Sequence, residues 1–397
     1  MNKPELLAPA GNLEKLKIAF MYGADAVFIG GKQFSLRARA SNFGLKEIEE
    51  AVNFAHPLKK KVYVTTNIIP HSEDLDGLIE YLKALEAIGV DAIICASTSI
   101  IDAARRHTNL EIHLSTQQSI TNSEAIRFWE KRGVKRIVLA RELDLDEIHQ
   151  VKAQSNLDLE VFIHGGMCVS YSGKCTLSNN MTDRDANRGG CAHSCRWNYD
   201  LFDNGEQLNV SMPFSMSSKD LQAVKQISRL VDIGVESLKI EGRMKSVHYI
   251  ATVVKTYRKL IDELCEDLTI DLPKYVLEIK KAENRLTSHG FMEGMTTVNE
   301  QLYNLRSEQP TQAFVGFVLD YDMTNQTALV EQRNYFEKGD LIEVFSPNFE
   351  PISFRVEAFI DAETGESLDV ARHPKQQLKI KIPIPLKPYD MLRKANA

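Results

Sequence analysis

A short unit recurs four times in the chain: Gly23-Ala-Asp-Ala-Val, Gly89-Val-Asp-Ala-Ile, Gly133-Val-Lys-Arg-Ile and Gly234-Val-Glu-Ser-Leu. In each, a helix-like stretch stops at Gly and an apolar run begins within a few residues. Gly ends helices because it enters the left-handed region with no Cβ clash. Alternating helical and strand patterns point to a parallel sheet with helical crossovers. Eight apolar runs read as strands, near Leu6, Ala26–Ile29, Val62–Thr65, Ala92–Cys95, Ile112–Leu114, Ile137–Leu139, Glu160–Ile163 and Ser237–Ile240. Eight strands in about 250 residues is the size of a TIM-like β/α barrel. An open doubly wound sheet fits less well, because no G-x-G-x-x-G follows the first run.

A barrel carries its chemistry at the C-terminal ends of its strands. Those ends read Gly30 and Gly31, Thr66 and Asn67, Ser97, Ser115 to Gln118 (with Gln117), Arg141 and Glu142, His164, and Glu241 to Arg243. The stretch after the second strand adds Arg37 and Arg39. The domains expected are a barrel over residues 1–270 with a cysteine loop at 165–210, a helical linker over 271–310, and a small antiparallel β-barrel over 311–397. The last follows from short alternating runs such as Phe314-Val-Gly-Phe-Val-Leu and Leu378-Lys-Ile-Lys-Ile. Within the cysteine loop, Asp203-Asn-Gly205 is a tight-turn signal that predicts a hairpin.

The net charge of −6 gives no global electrostatic reason to bind nucleic acid. A local one exists: Arg372 to Lys394 holds seven Lys or Arg and one Asp. Lys379 and Lys381 would share one strand face, either as an RNA-backbone patch or as a plain solvated face. No run of eighteen apolar residues occurs, so no membrane span is expected. The opening Met1-Asn-Lys-Pro-Glu is no signal peptide, and a reducing cytoplasmic setting is expected.

Four of the six cysteines, Cys168, Cys175, Cys191 and Cys195, fall within 28 positions, with 6, 15 and 3 residues between them. They lie in a stretch rich in Gly, Ser, Asn and Arg, where inert buried thiols would be out of place. Disulfides suit an oxidising compartment. Structural zinc clips cysteines in tight pairs, and only Cys191 and Cys195 are so spaced. An iron–sulfur cluster accepts wide, irregular spacing and fits better. Cys95 and Cys265, in apolar or helical runs, read as packing residues.

Glu160-Val-Phe-Ile-His-Gly-Gly-Met-Cys168, followed by Gly173-Lys-Cys-Thr-Leu-Ser178, resembles the signature of peptidase family U32, the collagenase-like proteins. Gly166 departs from it, standing where that signature usually has Ser or Ala. Gly190-Cys191-Ala-His-Ser-Cys195-Arg-Trp197, Lys239-Ile-Glu-Gly-Arg-Met-Lys245 and Leu6-Leu-Ala-Pro-Ala-Gly11 resemble the same family, so the likeness runs over nearly the whole chain. Within it, the chain is most similar to the branch that makes 5-hydroxyuridine at the tRNA wobble position. Relatives hydroxylate a ribosomal RNA cytidine or a quinone precursor.

This resemblance implies a 4Fe–4S cluster on the four cysteines and prephenate as co-substrate. Prephenate is a dicarboxylate, so Arg37, Arg39, Arg141 and Arg243 become its candidate ligands, with Asn67 and Gln117 beside them. Alternatively, Arg141 pairs with Glu142, or Arg243 with Glu241. His164 and Glu241 are the acid–base candidates. The competing class is a cysteine peptidase with His164 or His193 as base, and nothing marks one of the four thiols as its nucleophile.

Overall fold

A computed structural model describes residues 2–36, 42–208, 214–282, 285–302 and 314–395. The chain divides into two compact units, one of Met1–Leu277 with Arg285–Gln309, the other of Glu278–Asn284 with Pro310–Ala397.

The first unit alternates β1 (Glu5–Pro9), α1 (Leu13–Met21), β2 (Ala26–Gly30), α2 (Leu45–Ala55), β3 (Lys61–Thr66), α3 (Leu78–Ile88), β4 (Ala92–Cys95), α4 (Thr98–His107), β5 (Glu111–Leu114), α5 (Ser123–Glu130), β6 (Arg136–Val138), α6 (Leu145–Ala153) and β7 (Asp158–Gly165). A long insertion carries α7 (Leu177–Thr182), the hairpin β8 (Phe202–Asp203) and β9 (Glu206–Gln207), and β10 (Asp220–Gln222). Then come α8 (Ile227–Ile233), β11 (Ser237–Ile240), α9 (Val247–Cys265), α10 (Leu272–Lys280) and β12 (Thr287–Ser288). Strands β1 to β7 pair in parallel in chain order, and β11 pairs in parallel with both β1 and β7. The eight-stranded parallel barrel is therefore closed. All eight expected strands are present.

The recurring unit now has a physical account. Gly23, Gly89, Gly133 and Gly234 all adopt positive φ where a helix stops. The acidic residue two places on has a second task. Asp25 accepts the Leu6 N–H, Asp91 the Val62 N–H and Glu236 the Leu159 N–H. Each carboxylate ties the foot of its own strand to the adjacent one. Helix starts are equally local: Asn12 caps α1, and Asp144 with Glu147 forms a reciprocal box at α6.

The barrel floor is ionic. Arg136 reaches Glu5 at 2.5 Å and Glu160 at 3.5 Å, and Lys239 donates to Glu160 at 2.7 Å. Burial alone would raise the Glu160 carboxyl, but Lys239 and Arg136 hold it below its ordinary range. Tyr63 donates to Glu5 at 2.7 Å.

The second unit is antiparallel, with β13 (Phe314–Asp322), β14 (Thr327–Gln332), β15 (Phe336–Glu337), β16 (Leu341–Phe345), β17 (Ile352–Arg355), β18 (Phe359–Asp361), β19 (Ser367–Leu368), β20 (Val370–Ala371), β21 (Gln377–Lys381) and β22 (Met391–Lys394). Its main sheet runs β17-β16-β22-β13-β14-β21-β18-β19, with β15 and β20 paired separately. Among the described residues the two edge strands do not pair, so the sheet is a half-barrel and not a closed one. Its inner face buries Val315, Val330, Phe336, Val344, Phe359 and Ile380 together.

Candidate functional site

Strand β7 ends against β11 with almost no space between them. Gly165 has φ +108°, and a Cβ there would stand 2.4 Å from the Glu241 carbonyl oxygen. From this point the chain leaves the barrel and enters the cysteine-bearing segment. Side chains and backbone at the C-terminal rim then hold that segment. Glu142 accepts the Ser172 N–H at 2.9 Å and the Ser172 hydroxyl at 3.1 Å. Ser119 donates to the Ser172 carbonyl. Farther along, Arg188 binds Asp74 at 2.8 Å and Glu73 at 3.2 Å, and the Ile69 N–H donates to the Asn187 carbonyl. The segment is thus tied to the connections after β3, β5 and β6. Its hairpin turn is as expected, with Asn204 and Gly205 both at positive φ.

All six cysteines are free thiols. Burial pushes the Cys195 thiol up, and Cys168, Cys191 and Cys175 add to the rise while Arg196 opposes it. Desolvation by neighbouring atoms likewise raises the Cys168 thiol, with Cys175 and Cys191 contributing. The four thiols therefore lie within electrostatic reach of one another. Among the described residues, no three His, Cys, Asp or Glu groups are arranged to hold a metal ion. The donor set, four sulfurs on a pinned segment, fits a thiolate-bound cluster.

Beside the thiols, Arg141 lies with its Cζ 3.9 Å from the Phe162 ring centre. It donates to the Gly166 carbonyl at 2.9 Å and faces Glu241 at 3.8 Å. The pairing is with the acid that follows β11, on the far side of β7, while neighbouring Glu142 serves Ser172. Arg243 is buried, donating to Ser35 at 3.2 Å and to Asn42 at 2.8 Å. It lies across Gly30, where a Cβ would stand 1.8 Å from its Nη1. Asn67 and Gln117 are brought together, the Asn67 amide donating to Gln117 Oε1 at 2.6 Å. Arg37 and Arg39 lie outside the described residues.

His164 departs from expectation. Its ring is buried between Tyr249 and Tyr257 of α9, with Nδ1 3.3 Å from the Tyr257 hydroxyl. Burial first, then Lys245, drives its imidazole down to about 3. The side chain faces the outer helix instead of the mouth, so it is not placed to exchange protons there. Sequence reasoning also missed Phe162, which reads as an ordinary core residue, and Ser35, Asn42 and Ser119, which carry no periodic signal.

In the second unit, Lys379 and Lys381 are exposed on alternate positions of β21. Two other cations of the basic stretch are engaged elsewhere: Arg393 is fully buried between Glu278 and Glu343, and Lys394 pairs with Asp340 at 2.8 Å.

The model of peptidase family U32 matches residues 11–302, and that of the family's C-terminal domain matches residues 310–393. A tRNA hydroxylation protein P1 of Bacillus subtilis is 49% identical over 403 residues, covering 99% of this chain and 95% of that protein. A tRNA hydroxylation protein P of Escherichia coli is 34% identical, covering 97% of this chain and 94% of that protein. A 23S rRNA 5-hydroxycytidine synthase of Escherichia coli is 39% identical over 66% of this chain and 40% of its own length.

Proposed function

The chain belongs to peptidase family U32, and from that premise we propose that it is an RNA-hydroxylating enzyme that converts the wobble uridine of tRNA to 5-hydroxyuridine. Prephenate is its co-substrate, and Cys168, Cys175, Cys191 and Cys195 hold a 4Fe–4S cluster. The observation that carries this reading is the near full-length likeness to tRNA hydroxylation proteins, joined to a thiol-bearing segment seated on the barrel rim beside Arg141.

A thiolate-bound cluster supplies one-electron redox chemistry when present. The chain's own residues bind and orient. Arg141 and Arg243, with Arg37 and Arg39, meet the two carboxylates of prephenate; Asn67 and Gln117 form the amide wall beside them. Glu241, paired to Arg141, is a carboxylate placed to exchange a proton with a ligand held there. An anticodon base leaves its stack at low cost because the loop is single-stranded. Lys379 and Lys381 contribute backbone contacts to the RNA.

A peptidase reading has less behind it. A thiol nucleophile needs a neighbouring base and a lowered pKa. His164 faces α9, while Cys168 and Cys195 are pushed up.

Nucleoside analysis of tRNA from a deletion strain tests the proposal. 5-Hydroxyuridine derivatives should vanish, return with the wild-type chain, and stay absent with Cys168→Ser. Unchanged tRNA and a changed 23S rRNA cytidine would move the assignment to ribosomal RNA.

A further inference from the structure

Arg141 rests on an aromatic ring that is itself held from below. Phe162 is buried on β7, and the Arg141 Cζ stands 3.9 Å from its centre. At that distance the guanidinium carbon is in van der Waals contact with the ring face, where a stacked arrangement is favoured. A second cation, Lys239, stands 5.3 Å from the same ring and 4.5 Å from Phe28. Lys239 is fixed in turn by Glu160 at 2.7 Å, and Glu160 by Arg136 at 3.5 Å. The ionic floor thus fixes a ring, and the ring carries a guanidinium at the mouth.

Resting on the function proposed for this site, we infer that Phe162 is a positioning residue, holding the Arg141 fork in the plane where it meets a carboxylate of the co-substrate. The negative face of an aromatic ring attracts a cation, and a stacked guanidinium keeps its N–H edges directed outward. The Gly166 carbonyl fixes one edge of the fork and Glu241 draws another. Rotation about the long Arg side chain is therefore restricted before any ligand arrives, and a pre-oriented fork loses less freedom on binding. A lysine ammonium in its place would keep the charge and lose the plane.

Steady-state kinetics with the full chain, tRNA and prephenate test this, alongside direct prephenate binding by calorimetry. Arg141→Lys and Phe162→Leu should each raise the prephenate KM about tenfold, as loss of a desolvated stacked pair predicts. kcat and the tRNA KM should change much less, and Phe162→Tyr should stay close to wild type. The double variant should be no worse than either single one, because both remove the same contact. Additive losses, or an unchanged KM in Arg141→Lys, would overturn the inference. Where Phe162→Leu fails to fold, Phe162→Met, which fills similar space without an aromatic face, takes its place with the same expected rise in prephenate KM, and an unchanged KM there would overturn the inference. A wild-type chain that neither binds prephenate nor turns over with it removes the proposed function itself. Prephenate use by wild type that is indifferent to both substitutions removes only the role of Phe162.

Discussion

Gly173 touches the barrel rim at Gln117: a Cβ on residue 173 would lie 2.2 Å from the Gln117 carbonyl oxygen. The contact sits between Cys168 and Cys175, and the φ of Gly173 is +74°. Only a glycine can sit there without moving either the rim or the thiols.

Gly173→Ala should therefore unseat the cysteine segment while leaving the barrel folded. Left-handed strain and the overlap together cost about 1–3 kcal/mol locally. Iron and sulfide per chain after anaerobic purification should fall severalfold, with far-UV circular dichroism unchanged. Full iron content in the variant would show that the seat does not matter to the thiols.

The two classes of cysteine should separate under chemical labelling. Burial pushes the Cys95 thiol up to about 12, and it lies 3.1 Å from the Thr66 hydroxyl. Iodoacetamide should modify Cys168 and Cys191, which are exposed, in the native metal-free chain. Cys95 should react only after denaturation. Resting on the proposed cluster, serine at any of the four clustered positions should lower iron and sulfide per chain, whereas Cys95→Ser should leave both at the wild-type value.

His164 makes the fold sensitive to acid. Its imidazole is driven down to about 3 by burial, so it is neutral in the folded chain above that pH. In the unfolded chain it takes up a proton near pH 6.5. The unfolded state binds more protons in between, so stability falls as pH drops from about 6.5 toward 3. The loss should be roughly 2 kcal/mol between pH 6.5 and pH 5. Buried His113, also shifted down by desolvation, acts in the same direction. Urea titrations of His164→Gln should show a flatter dependence over that range; an equal slope would contradict the assignment.

Arg393 is the structural cation of the second unit. It is wholly buried and bound to Glu278 and Glu343. Arg393→Ala leaves Glu278 and Glu343 to share Lys281, at 2.9 and 3.4 Å, and should cost about 3 kcal/mol. The double variant Arg393→Met with Glu343→Leu should recover part of that loss in chemical denaturation. Lys379→Ala, on the exposed face, should stay within about 0.5 kcal/mol of wild type.

The sequence by itself determined the barrel and the gathering of thiols. Helix ends at Gly23, Gly89, Gly133 and Gly234, and the apolar runs that follow, are local properties of a few neighbouring residues. Four cysteines within one loop are visible in the same way. What only the tertiary structure decided is which groups from different strands meet. Arg141 finds Glu241 and Phe162, and neither partner is near it in sequence. His164 illustrates the physical reason. The register between β7 and β11 shifts beside Ile240 and His164, and one extra residue turns a strand's side chains to the opposite face. Arg393 illustrates it again, because a count of charges does not say which are paired inside the fold. Periodicity is written locally, whereas pairing and facing depend on how distant strands close on one another.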